Sequence, residues 1–204
     1  MPLKHYAAIG ISRSIRQVIH ALRNNSADLT DYVSTIAKRL RRDEARIASG
    51  LNRTFKDLDV LIIGPGPYLV EPRFFGLKNK VTAIDLDVIP QGFAPGAYFQ
   101  MLRQNGMGRF LKTAGRKILG IDRRHAQAWR NELGTKILPD PRLIQGDILQ
   151  GPPQQKSYDV VACWAVFQHI SDPALAIKHM KAALRPGGRD LFPRSSLYVE
   201  HRPS

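Results

Sequence analysis

The apolar positions of this chain fall into two rhythms that alternate along its length. In residues 14–24 (SIRQVIHALRN), Ile15, Val18, Ile19 and Leu22 share one helical face. A second helix, capped by Asp28 or Thr30, is predicted through Tyr32, Val33, Ile36, Ala37 and Leu40, with Arg and Lys on its outer side. The rhythm then changes. Val60-Leu-Ile-Ile is apolar without alternation, the mark of a strand covered on both faces, as in a parallel sheet. Similar runs follow at Val81-Thr-Ala-Ile-Asp-Leu-Asp, Arg142-Leu-Ile-Gln-Gly-Asp and Tyr158-Asp-Val-Val-Ala-Cys-Trp. Ala174 to Leu184 reads as a helix stopped by Pro186-Gly187-Gly188. Strand and helix in alternation predict an open α/β sheet with right-handed crossovers.

Between the second and third runs lies an insertion, roughly Pro90 to Leu138, longer than one crossover helix needs. Within it, GRFLKTAGRKILGIDRRHAQAW puts Leu111, Ala114, Ile118 and Ile121 on one face, while Arg109, Lys112, Arg116, Lys117, Arg123 and Arg124 fall mainly elsewhere. A basic amphipathic helix of this kind can lie on a membrane or cover a site as a lid. The plainer expectation is a helix packed on its own domain with its arginines in water.

Composition narrows the class. The 204 residues suit one domain with a real core, and 43% hydrophobic and 24% charged content is ordinary for a soluble protein. One cysteine, Cys163, excludes an intramolecular disulfide and a cysteine-rich zinc site. His5, His20, His125, His179 and His201 have no metal-ligand spacing, so no metal is expected. The opening MPLKHYAAIGISRS lacks the apolar core of a signal peptide, and no segment is suited to span a bilayer, so a cytoplasmic location is expected. The charge is less ordinary. Thirty-one Lys and Arg against 17 acids give a net +14, concentrated in Ala37-Lys-Arg-Leu-Arg-Arg and between Arg103 and Arg130. Such a field favours anionic partners, which keeps nucleic acid and an anionic membrane surface open, beside a merely solvated arginine-rich face.

The chemistry centres on VLIIGPGPYLVEP, where the first apolar run breaks at Gly64 and Gly66 follows. In doubly wound sheets ligands bind at the carboxyl ends of strands, where glycine lets backbone approach them. The dinucleotide pattern GxGxxG fails because Leu69 holds the third glycine position, which argues against an NAD-dependent dehydrogenase. Asp85, about twenty residues on at the next strand end, is suited to accept both hydroxyls of a ribose.

GPG after a strand, AID at the next strand end, GDIL after the third and then YDVVACWAVFQHISDPALAIKHMKAALRPGG together resemble the class I S-adenosylmethionine-dependent methyltransferases, over roughly Val60 to Gly188. The resemblance implies a Rossmann-like, doubly wound, mostly parallel sheet in a three-layer sandwich. It implies a methyltransferase domain over 58–192, with a helical region over 1–57, the basic insertion over 88–138 and an irregular tail over 193–204. It also implies S-adenosylmethionine as cofactor. Gly64 and Gly66 would pass under its methionine part, and Asp85 would hold the ribose hydroxyls with Leu86 against the adenine. Asp147 would accept from the adenine amino group, Ile148 would pack on the ring, and Cys163 and Trp164 would border the methyl group and the acceptor. Two positions depart from the family. Ile62 stands where members carry an acid, and Tyr68 where they carry a third glycine.

Methyl transfer from a sulfonium asks the protein mainly for orientation and desolvation. His169 is the candidate base near the motifs, set against a structural histidine at the start of a loop; Cys163 has no visible partner base and need not be a nucleophile. The Cys163-Trp164 pair, in place of a polar constellation suited to a planar base nitrogen, favours a small-molecule or lipid-like acceptor over RNA. The oligomeric state is left open. After Gly188, RDLFPRSSLYVEHRPS puts Arg189 and Asp190 where a fifth strand should turn apolar, and Pro193 interrupts it. The family's closing antiparallel pair is therefore expected to be missing, from a frameshifted or shortened reading frame or with the edge covered by another chain. A truncated, catalytically inactive binding module for anionic partners is the alternative function.

Overall fold

The computed structural model describes residues 26–191 apart from 88, 91–94 and 165. The first predicted helix, residues 14–24, and the tail from 192 onward, with Pro193, lie outside the described residues. The chain divides into two compact units, Met1–Ser34 with Asp87–Gly134, and Thr35–Leu86 with Thr135–Ser204.

The second unit carries the sheet. Its strands are β1 (Asp59–Ile63), β2 (Lys80–Asp85), β3 (Arg142–Gln145), β4 (Tyr158–Cys163) and β5 (Leu184–Leu191). They lie in the order β3-β2-β1-β4-β5, and every pairing is parallel. All four predicted runs are strands. Val60, Leu61, Ile62 and Ile63 are each at most 4% exposed, so the lack of alternation in the sequence reflects burial on both faces. The fold is a mostly parallel α/β fold of the Rossmann-like kind.

Helix α1 (Ser26–Leu51) starts earlier and runs eleven residues further than the predicted end at Leu40, so Asp28 and Thr30 lie inside it rather than before its first turn. Its buried face is Val33, Ala37, Leu40, Asp43 and Ile47, at helical spacing; Tyr32, expected on that face, is 52% exposed. The short helix α2 (Val70–Phe75) follows the glycine turn and buries Phe74 and Phe75.

The C-terminal half corrects one expectation. Arg189 and Asp190 do enter a strand, pairing with Val160 and Val161. The register shifts between Tyr158 and Val160, so Pro186-Gly187-Gly188 bulges out, with Gly187 at φ 80°. Among the described residues β5 is outermost, and an outermost strand tolerates a proline and exposed charges that a central one would not. Arg189 is anchored, donating from Nε to the Gly50 carbonyl at 2.7 Å.

At the starts of the strands, Asp159 gathers three donors. The Asp59 amide donates to it at 2.8 Å, Arg53 at 2.7 Å and Arg185 at 3.0 Å, and Arg185 also reaches Asp59 at 2.7 Å. Burial acts to raise the Asp159 pKa, but the amide and the two guanidiniums outweigh it and hold the group below its ordinary value of 3.8. A depressed folded pKa contributes stability that is complete above the ordinary value and is lost as pH falls through the folded one. Asp159→Asn is therefore expected to lower stability near neutral pH by on the order of 1–2 kcal/mol, limited by the solvent screening of its arginines. Urea unfolding should show the gap between variant and wild type closing below about pH 4. A gap that stays constant on acidification would contradict the assignment.

The first unit holds the insertion as three helices, α3 (Pro95–Asn105), α4 (Met107–Ile118) and α5 (Ile121–Leu133). The single helix predicted over 108–129 is broken at Gly120, which has φ 68° and separates Ile121 from the stripe it was expected to join. The expected facing is also reversed on α4. Leu111 and Ile118 are 46% and 80% exposed, whereas Thr113 and Arg116 are buried, Arg116 lying 3.0 Å from Asp122. On α5, His125 and Trp129 are buried, and the His125 ring sits 6.3 Å from that of Tyr32.

Helix α6 (Pro173–Ala183) closes the βαβ unit before β5 and is well specified locally. Asp172 caps it by accepting from the Leu175 amide at 3.0 Å, and Pro173 stands at its first turn. Ala176, Met180 and Ala183 are its buried face, one residue short of the predicted end at Leu184.

Candidate functional site

In a parallel sheet ordered 3-2-1-4-5 the chain leaves β1 in one direction and returns to its other side at β4, so the crevice between their carboxyl ends is open to a ligand. The segments singled out in the sequence meet along that edge. Ile63 is in register with Ile84 on one side and Cys163 on the other, and Asp85 is in register with Gln145, two residues before Asp147.

The glycine turn follows from β1. Gly64 and Gly66 have φ of 63° and 66°, a backbone region closed to most side chains, and the Gly64 amide donates to the Ile84 carbonyl at 2.9 Å. A Cβ on Gly64 would stand 2.5 Å from Cγ2 of Val166, whereas one on Gly66 would meet no atom within 4 Å. Gly64 is thus fixed by close packing against the loop after β4, and Gly66 by conformation beside open space. Leu69, in the position where GxGxxG has glycine, is itself left-handed at φ 53° and only 1% exposed. The turn keeps a glycine-like conformation there, and burial of the leucine side chain offsets the backbone strain.

Ile62, in place of the family's acid, is 1% exposed and in register with Ala83 and Ala162, deep in the sheet. Tyr68 is half-buried, and its carbonyl accepts from Arg73 at 3.2 Å. A carboxylate does stand just after the glycine turn. Glu71, in the first turn of α2, pairs with Arg39 of α1 at 2.8 Å. Burial raises its pKa, and the nearby guanidinium offsets only part of that.

Asp85 and Leu86 are half-buried at the end of β2, with the Asp85 carbonyl taking the Gly146 amide at 2.9 Å and the Leu86 carbonyl taking Gln145 Nε2 at 3.3 Å. Asp147 caps the short turn Ile148–Gln150, its Oδ1 accepting from the Leu149 amide at 2.9 Å. Ile148 is buried, and its carbonyl lies 2.8 Å from His179 Nδ1.

Cys163 and Trp164 are both buried, at 0% and 6% exposed. The Trp164 indole donates to Asp43 Oδ2 at 3.0 Å and stacks on Phe75 at a centroid distance of 5.3 Å, so its ring faces α1 and α2. Asp43 is the residue that reading the sequence for chemistry passed over. The signal was present: Asp43 falls three residues after Leu40 and four before Ile47, on the apolar face of its helix. Val166, which fixes Gly64, carried no such signal, because only the pairing of β1 with β4 brings it there. His169 is exposed, with Nε2 3.3 Å from Gln168 Nε2. Desolvation pushes the Cys163 thiol up to about 11 despite the amides of Val166 and Phe167. Native protein at about pH 8 is accordingly expected to react with a thiol reagent more slowly than urea-unfolded protein by at least about 100-fold. Comparable rates in the two states would show the thiol to be accessible.

A cavity of about 390 Å³ lies at the opposite edge of the sheet, lined by Asp59, Lys80, Arg142, Tyr158 and Arg185 among others. Its central charges are bound to one another through the Arg185 contacts described above, and the glycine turn is not part of it.

A methyltransferase-domain family model matches residues 92–192. The chain is 33% identical over 75 residues to a ubiquinone biosynthesis O-methyltransferase of Aeromonas salmonicida, covering 37% of this chain and 29% of that protein. It is 28% identical over 137 residues to the enzyme of the same name from Acinetobacter baumannii, covering 64% and 52%. It thus spans about half or less of the length of these curated relatives. A solved structure of an S-adenosylmethionine-dependent methyltransferase from Mesorhizobium loti is similar at 17% identity and a TM-score of 0.40, covering 68% of this chain and 46% of that one. Residues 92–192 thus match the methyltransferase-domain family, and the motif order and the parallel sheet order agree with that match.

Proposed function

We propose that this protein transfers a methyl group from S-adenosylmethionine to a small-molecule or lipid-like acceptor. The observation that supports this most is the left-handed Gly64-Pro65-Gly66 turn at the switch point of the sheet, with Gly66 beside open space and Asp85 at the neighbouring strand end. That arrangement suits a ligand with an extended amino-acid arm and a ribose. Gly64 and Gly66 would lie along the arm, Asp85 would accept from the ribose hydroxyls, and Leu86 and Ile148 would wall the base, with Asp147 as its polar contact. When bound, the cofactor supplies an electrophilic methyl on a good leaving group. The chain's own part is then orientation and exclusion of water, which the apolar strand ends and the buried Cys163 favour. The indole of Trp164, held on Asp43, would keep the loop after β4 in place. The acceptor class is supported by the names of the two relatives, both O-methyltransferases of ubiquinone biosynthesis. Residues 58–192 are read as the methyltransferase domain, working in the cytoplasm.

The test is calorimetric titration of folded protein with S-adenosylmethionine and with S-adenosylhomocysteine, followed by an acceptor screen. Saturable binding is expected. Folded protein that binds neither would overturn the enzyme reading and leave a binding module on a methyltransferase fold.

A further inference from the structure

The insertion presents to solvent what a helix ordinarily buries. On α4, Met107, Leu111, Ala114 and Ile118 form one stripe at helical spacing, and Met107, Leu111 and Ile118 are 53%, 46% and 80% exposed. The opposite side of the helix, with Thr113 and Arg116, is buried. Phe99 on α3, at 69%, and Leu119 just after α4, at 40%, extend the exposed apolar surface of the unit. Eight Lys and Arg and a single acid, Asp122, lie between residues 95 and 130, and Arg103, Arg123 and Arg124 are exposed.

We propose that this apolar stripe with its basic surroundings docks on an anionic lipid surface, α4 lying in the plane of the interface. The charge identifies the occupant. A second copy would bring the same net +14 against itself, whereas an anionic bilayer attracts it. A nucleic acid satisfies the arginines but offers no place for Leu111 and Ile118; acyl chains beneath a charged headgroup layer accommodate both. No helix among the described residues is long and apolar enough to cross a membrane, so the contact is peripheral.

The experiment is co-sedimentation of the full chain with vesicles of phosphatidylcholine alone and of phosphatidylcholine mixed with phosphatidylglycerol, at low and high salt. It needs no methyl donor, so its result is independent of the cofactor reading. Binding is expected to the mixed vesicles, to weaken with salt, and to fall at least about tenfold in Leu111→Asp/Ile118→Asp. Both side chains are exposed, and an unchanged circular dichroism spectrum would show that the variant folds. Absence of binding to mixed vesicles at low salt would overturn the proposal. So would equal binding by the double variant, which would reduce the effect to charge, or a wild-type dimer in sedimentation velocity that the double variant dissolves, which would assign the stripe to a second copy.

Discussion

Asp85→Ala is expected to weaken S-adenosylmethionine binding about 100-fold or more. Asp85 ends β2 one position beyond Ile84, whose carbonyl takes the Gly64 amide, so its carboxylate belongs to the same strand end as the glycine turn. The loop behind it is held by its backbone: the Gly146 amide bonds the Asp85 carbonyl, a contact alanine retains. On the proposed assignment, alanine would remove an anionic acceptor for two ribose hydroxyls, each such charge-assisted bond being worth about 1.5–3 kcal/mol. Calorimetry alongside the unfolding midpoint separates the effects. Lost affinity at an unchanged midpoint supports the assignment, whereas undiminished affinity would remove Asp85 from the site.

Gly64→Ala is expected to damage the fold itself, by about 3 kcal/mol or more. Two costs combine. The residue sits at φ 63°, where an L-side chain is strained, and its new methyl would overlap Val166, whose Cβ and both Cγ atoms would lie within 2.8 Å. Val166 follows the buried end of β4 closely, so relief requires movement of the loop that carries Trp164. Gly66→Ala provides the comparison. It has the same kind of φ but no atom within 4 Å, so it should cost only about 1–2 kcal/mol. Equal costs in urea unfolding of the two variants would mean that the Val166 contact is not what fixes Gly64.

The parallel strands were legible because burial on both faces writes itself into the chain as unbroken apolar runs, as at Val60–Ile63. The positions of Asp85 and Asp147 at strand ends were legible for the same reason: a carboxylate that closes an apolar run marks its carboxyl end. Three things were not. Arg189 and Asp190 read as breakers because charge is foreign to a central strand, yet β5 is outermost among the described strands, and strand order is not a local property. The stripe on α4 was visible but its direction was not, since periodicity tells which residues share a face and never which way the face points. Trp164 was legible as a residue at the end of β4, but its partners Asp43 and Phe75, far away in sequence, were not. Contacts of that separation have no periodic signature.

The strand order also governs the sequence of folding events. Val60 is in register with Val81 on one side and with Val160 on the other, so the middle of the sheet is flanked by one near neighbour in the chain and one distant neighbour. During synthesis β1, β2 and β3 can associate early, but one flank of the most apolar strand stays open until β4 emerges. The inserted helices lengthen that interval by lying between β2 and β3. High sequence separation of this kind slows folding and prolongs exposure of an unpaired apolar edge. The nascent chain therefore depends most on protection from the emergence of β2 until that of β4, the interval in which a chaperone would have its largest effect on yield.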